Sequence, residues 1–171
     1  MFDLLNELSF AQISWLSVFA YILHYAEEGP RLVEWFNKHY KPKFGSKTFH
    51  YTQKKLNLEN AILFGFTLFM VILFNIFPEN WILQAFILAT GVGYIGNTFF
   101  HVIPTLRTGI YSPGVVTASM IFPLVFVIYI WKADQLRVLT LPTLVVAIIV
   151  GIIGLPIAVI ITHKIILRND K

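Results

Sequence analysis

Five long stretches of this chain carry no charged side chain, and that constrains its fold more than any motif does. Nineteen uncharged residues separate Glu7 from Glu27, and another 19 separate Glu59 from Glu79. The gaps from Glu79 to Arg107, from Arg107 to Lys132 and from Arg137 to Lys164 hold 27, 24 and 26 residues. A helix needs about 20 mostly apolar residues to cross a bilayer. Only helices and closed barrels satisfy their backbone in lipid, and these windows lack the alternation of barrel strands. The expected fold class is therefore all-α: a polytopic membrane protein, a single transmembrane domain over residues 1–171. Its five transmembrane helices fall near 8–26, 60–77, 81–106, 113–131 and 139–163.

Composition argues the same way. Hydrophobic residues make up 57% of the 171 and charged residues 13%, against about 45–50% and about 25% in a soluble domain. This excludes a soluble globular domain, a disordered chain and a nucleic-acid binder, despite a net charge of +4. With 0 Cys there is no disulfide framework, no thiolate zinc site and no cysteine nucleophile. The first residues lack a basic region and a small-residue cleavage site, so the first span is expected to stay in the mature protein.

The distribution of Lys and Arg sets an orientation. Arg31, Lys38, Lys41, Lys43, Lys47, Lys54, Lys55, Arg107, Lys164, Arg168 and Lys171 fall on one side; Lys132 and Arg137 fall on the other. The positive-inside rule puts the larger group in the cytoplasm of a bacterial inner (plasma) membrane, with the N-terminus outside and the C-terminus cytoplasmic. The one long connection, 27–59, then forms a cytoplasmic interfacial loop. Pro30 opens a short helix there, with Leu32, Val33, Trp35, Phe36 and Tyr40 on its apolar side and Glu34, Asn37 and Lys38 on its polar side. The run Lys41–Gly45 is turn-like, and its lysines are expected to meet anionic headgroups.

Elsewhere the connections are tight. Ser112 reads as the N-cap of the fourth span with Pro113 at its first position. Pro123 and Pro156 are expected to kink the spans that hold them. Gly91 to Gly96 spells G-x-G-x-x-G, but inside a hydrophobic span it serves close helix packing, not dinucleotide binding. The absence of an internal repeat argues against an inverted-repeat transporter.

The topology brings three polar clusters to one membrane depth. The first span ends in His24-Tyr25-Ala26-Glu27-Glu28, the third in Asn97-Thr98-Phe99-Phe100-His101, and the fourth opens with Tyr111-Ser112-Pro113-Gly114 and reaches Thr117. His24 shares a helix face with Glu27 and Glu28, and Asn97 shares one with His101. Such i, i+3 and i, i+4 pairs are how helices hold metals. Without thiolates, imidazole and carboxylate suit zinc, iron or manganese. His163 is a further candidate ligand. The plainer readings are solvated helix ends for Glu27 and Glu28, paired with Arg31; interhelical hydrogen bonds for Asn97 and His101; a belt residue in Tyr111; and an inside-positive anchor in Arg107. His39 and His50 read as surface residues.

These residues carry a family resemblance. His24-x-x-Glu27-Glu28, Asn97-x-x-x-His101 and Tyr111-x-Pro113-Gly114-x-x-Thr117 together resemble the HXXEE family of bacterial integral membrane proteins, in the family's order and from the first span through the fourth. The resemblance implies a small polytopic protein with a shared polar site. It brings no reaction with it, because the family's function is uncharacterised. The favoured reading is a membrane-embedded enzyme acting on a lipid or other apolar substrate at the cytoplasmic face, by hydrolase-type or proton-transfer chemistry. In it His24, Glu28, His101 and His163 are the candidate ligands of a divalent metal; Glu27, Glu28, Asn97 and Tyr111 are the candidate catalytic residues; Arg107 and Thr117 bind substrate. A metal-free form would move protons between a buried glutamate and a histidine. The alternatives are a proton-coupled transporter or small-molecule binder, and a structural protein whose polar cluster locks helices together.

Overall fold

The computed structural model describes the backbone of residues 2–40, 43–44, 47–48 and 51–169. Side chains at 2–4, 40, 43–44, 47–48, 155, 158–159 and 162–169 fall outside the description, as does the turn expected at Lys41–Gly45. The described chain is almost entirely helical. A short α1 (Phe2–Glu7) leads into α2 (Phe10–Glu28), then α3 (Leu32–Trp35) and a π-helical turn, Phe36–Tyr40. Strands β1 (Lys43–Phe44) and β2 (Lys47–Thr48) pair antiparallel. The long helices α4 (Gln53–Ile76), α5 (Trp81–Thr108), α6 (Val115–Gln135) and α7 (Leu141–Asn169) follow.

Local chemistry explains most of the boundaries. Ser9 and Gln12 form a reciprocal capping box at the start of α2. The Thr52 hydroxyl caps α4 by accepting from Lys55 N, and the Asn80 side chain caps α5 by accepting from Ile82 N and Leu83 N. Gly109, at φ 67°, ends α5 in the left-handed conformation. Two expectations are corrected here. Helix α4 begins seven residues before position 60, so Lys54, Lys55 and Glu59 belong to it and not to a loop. Helix α6 begins at Val115, not at Pro113: Gly114 takes φ 92°, which no helical residue adopts, and the Ser112 carbonyl accepts from Val115 N at 3.0 Å.

Helix α5 lies between α6 and α7, α2 lies between α4 and α6, and α4 also meets α5 and α7. Phe10, Ile13, Phe74, Ile87, Phe122 and Tyr129 fill the contacts. Tyrosines pin the helices through backbone groups. Tyr129 Oη donates to Ser14 O at 2.7 Å and accepts from Ser17 N at 3.0 Å, and Tyr94 Oη donates to Ser17 O at 2.6 Å. Helix α3 and the turn after it spend their apolar side on the protein: Leu32, Trp35 and Phe36 are buried, with Phe36 ring-packed against Tyr51 and Phe100.

The outward faces are apolar. Phe19, Phe69, Phe99, Met120 and Ile152 are all exposed, a pattern that favours lipid over water. Among the described residues, α4, α5 and α6 are long and apolar enough to cross a membrane. That is compatible with a membrane protein.

Candidate functional site

The C-terminal ends of α2 and α5 and the N-terminal ends of α4 and α6 share one end of the bundle, and the polar motif residues meet there. His24 is 2% exposed, Glu28 4% and His101 0%. Glu28 Oε2 lies 2.9 Å from His24 Nε2 and 3.1 Å from His101 Nε2. The two rings stand edge to face at 4.9 Å. The other carboxylate oxygen, Oε1, accepts from Asn60 Nδ2 at 3.3 Å. The Asn60 amide oxygen in turn accepts from Tyr21 Oη at 2.8 Å.

A second carboxylate orients the first histidine. Glu27 Oε2 accepts from Thr117 N at 2.8 Å and Thr117 Oγ1 at 2.6 Å, while Oε1 accepts from Val116 N at 3.2 Å and from Tyr111 Oη. A hydroxyl has one proton, and Thr117 gives its own to Glu27. Its contact with His24 Nδ1 at 2.8 Å must then be donated by the imidazole. His24 therefore carries a proton on Nδ1, and its Nε2 lies beside the Glu28 carboxylate. That buried Nε2 makes no aligned hydrogen bond. His101 Nδ1 faces Ser112 Oγ at a longer 3.4 Å, leaving its Nε2 for Glu28 as well.

Gly114 closes the cluster. A Cβ there would lie 2.8 Å from His101 Cε1 and 2.9 Å from His24 Cε1. Phe122 backs the His24 ring at 4.6 Å and is itself stacked on Tyr94 at 4.0 Å. Glu27 stays in the partly exposed rim, where it neutralises the first-turn N–H groups of α6. The Tyr111 hydroxyl is pushed up to about 12 by its bond to Glu27, with burial and the Glu27 charge adding to it and Arg31 opposing.

Not every expected residue joins the cluster. Asn97 lies on the same face of α5 and lines the adjoining cavity, where its buried Oδ1 has no hydrogen-bond partner. Arg107 is exposed in the last turn of α5, with no ion pair among the described residues. The His163 side chain falls outside the described residues. Asn60, Ser112 and Gly114 belong to the site without having been singled out as site residues. The signal for Asn60 was a polar residue opening an otherwise apolar run.

A cavity of about 170 Å³ opens from Glu28 and His24 between α2, α4, α5 and α7. Its walls are mostly apolar, with Tyr21, Asn60 and Asn97 near the carboxylate.

An all-helical bundle with apolar outer faces and a buried His–Glu–His cluster at one end defines the class: a helical protein of membrane-compatible surface organised around a polar centre. A family model described as a protein of unknown function with HXXEE motif matches residues 15–131, well over half of the sequence, and the chain belongs to that family. No curated protein and no solved structure matches it. His24, Glu28 and His101 each offer one ligand atom within 4.8 Å of the others, a group that can hold a metal ion.

Proposed function

We propose that the chain is a membrane-embedded enzyme whose centre is a divalent metal site of His24, Glu28 and His101, acting on a lipid or other apolar substrate. The observation that carries this reading is the convergence of three buried ligand atoms, one each from His24, Glu28 and His101. A buried carboxylate needs a positive partner, and among the described residues the groups that reach Glu28 are two imidazoles and one amide. A divalent ion shared by His24 Nε2, Glu28 Oε2 and His101 Nε2 would supply that charge. Ligands on a tetrahedral ion with bonds of about 2.0 Å stand about 3.3 Å apart, close to the 2.9 and 3.1 Å from Glu28 to the two imidazoles. The Glu27–Thr117–His24 chain is the outer support that fixes ligand tautomers in such sites.

Zinc, iron or manganese suits two imidazoles and a carboxylate. Such an ion supplies Lewis-acid polarisation of a substrate oxygen. The protein's own residues do the rest. Glu27, saturated by four donors, positions Thr117 and through it His24. Asn97 offers its amide oxygen at the cavity wall for a polar substrate group, and Asn60 holds the Glu28 carboxylate. Tyr111 and Thr117 hold Glu27 in place. In the bilayer, α2, α4, α5, α6 and α7 form five spans, with the N-terminus outside and the site at the cytoplasmic face of a bacterial inner membrane.

Elemental analysis of the detergent-purified protein tests the site. One divalent ion per chain is expected, lost in His24→Ala, His101→Ala and Glu28→Gln, with unfolding temperature falling on chelation. Protein that is metal-free after growth and reconstitution in zinc, iron and manganese, with an unchanged unfolding temperature, overturns the reading and leaves a cluster that only locks helices.

A further inference from the structure

The cavity beside Glu28 has two unlike ends. At one end lie His24, Glu28, Asn60 and Asn97; at the other, Phe66 and Phe86 face each other with ring centroids 5.9 Å apart. Both ends are reached along single helix faces. On α5 the wall steps from Asn97 through Gly93 and Thr90 to Phe86, and on α4 from Asn60 through Leu63 to Phe66. Eleven residues of helix separate Asn97 from Phe86, a length of about 16 Å. The space along this path exists because its walls are small: Gly93, Thr90, Ala89 and, from α7, Gly154. A Cβ on Gly154 would meet nothing within 4 Å. Phe66 is 43% exposed on the outside of the bundle, so the apolar end stands beside the region that lipid chains would fill. At the polar end two buried atoms lack a hydrogen-bond partner, His24 Nε2 and Asn97 Oδ1, and the amide oxygen is an acceptor.

We infer that this cavity binds a single-chain amphiphile, its hydrocarbon tail running between α4, α5 and α7 towards Phe66 and Phe86 and a hydroxyl head at Asn97, beside the His24–Glu28–His101 cluster. The tail matches the mostly apolar walls between Asn97 and Phe86. The hydroxyl donates to the amide oxygen that the protein leaves unpaired. This names the substrate class for the reading above and rests on it for the role of the head-group end; the tail path stands on the cavity alone. A fully polar solute does not suit these walls.

The test uses the full chain in phosphatidylcholine nanodiscs and a long-chain primary alcohol carrying a photoactivatable diazirine near its tail end. Crosslinking is expected on the Thr67 and Thr90 stretches of α4 and α5, and is expected to be displaced by unlabelled hexadecanol but not by hexadecane. Filling the bore with Gly154→Leu or Thr90→Leu is expected to lower that labelling by roughly tenfold. Labelling of the lipid-facing α6 surface around Met120 is expected to stay unchanged and serves as the internal standard. Labelling confined to lipid-facing surfaces, equal displacement by the alkane, or equal labelling in the filled variants overturns the groove. Metal content measured on the same samples separates the two proposals. Metal-free protein that still labels Thr67 and Thr90 fails the metal centre alone, and metal-loaded protein without that labelling fails the groove alone.

Discussion

Gly114 combines a backbone angle and a neighbourhood that each exclude a side chain. Its φ of 92° lies where only glycine is at ease, and a Cβ would press on both site histidines at 2.8 and 2.9 Å. Gly109 offers the matched control, since its φ is 67° but a Cβ would meet nothing. Gly109→Ala is therefore expected to cost about 1 kcal/mol, from backbone strain alone. Gly114→Ala is expected to cost about 3 kcal/mol or more, because the clash with two buried rings adds to the strain. Denaturant unfolding in mild detergent measures both, and equal costs would show that the histidines do not rest on Gly114. The same position shows what the sequence could and could not reveal. His24, Glu28 and His101 were readable as a cluster, because charged and imidazole groups are conspicuous at the ends of apolar runs. Gly114 was readable only as a helix start, since nothing in a string of letters says that two rings from α2 and α5 lie over it. Asn60 was hidden for a similar reason: its partner Glu28 is 32 positions away, on another helix. Arg107 shows a further limit, because a cation near a polar cluster reads the same whether its side chain turns inward or, as here, is exposed.

Helix α6 begins without a capping side chain of its own, for its N-cap residue is Gly114. Glu27 of α2 takes that part from outside, accepting from the N–H groups of Val116 and Thr117. One carboxylate thus stabilises the first turn of one helix, joins it to another and fixes the His24 tautomer. Tyr111, in the α5–α6 connection, completes its set of donors. Because the folded Tyr111 hydroxyl titrates at about 12 against an ordinary 10, its contribution has a defined pH window. The group is protonated in both states below pH 10, and its stabilisation is full there. As pH rises from 10 through 12 the unfolded state loses its proton first, and the contribution disappears. Tyr111 is 53% exposed, so solvent screening holds the effect to about 0.5 kcal/mol. The stability difference between the native chain and Tyr111→Phe should therefore stay constant from neutral pH to 10 and vanish by about 12. A difference that grows with alkalinity would remove the bond to Glu27. The positions of the long helices followed from charge spacing, because charges mark where a chain leaves lipid. That rule fails for α4. Lys54, Lys55 and Glu59 lie within the helix, and its true start was carried by a quieter signal, the hydroxyl of Thr52.

Polarity in this bundle is arranged the opposite way from a water-soluble domain. Large apolar side chains such as Phe19, Phe69 and Met120 face outward, while His24, Glu28, His101, Ser14 and Ser17 are buried. Cations divide unequally between the two ends. Arg31, Lys54, Lys55 and Arg107 belong to the end that holds the site; Lys132 and Arg137 belong to the other, where Lys132 Nζ donates to the carbonyls of Leu5 and Asn6 at the end of α1. The orientation proposed above rests on that inequality, since the positive-inside bias favours the more basic end in the cytoplasm. The chain contains 0 Cys, so single introduced cysteines report their side without background. Glu79→Cys, in the α4–α5 connection, and Asp134→Cys, near the end of α6, should react with a membrane-impermeant maleimide on intact cells. Lys54→Cys, in the first turn of α4, should react only after permeabilisation. All three positions are exposed on the protein surface, so differences in labelling report the membrane and not burial. Labelling of Lys54→Cys on intact cells with Glu79→Cys protected would invert the orientation, placing the histidines and Glu28 at the outer leaflet and their substrate with them. Equal labelling of all three on intact cells would remove the bilayer from the picture, because no membrane would then separate the two ends of the bundle.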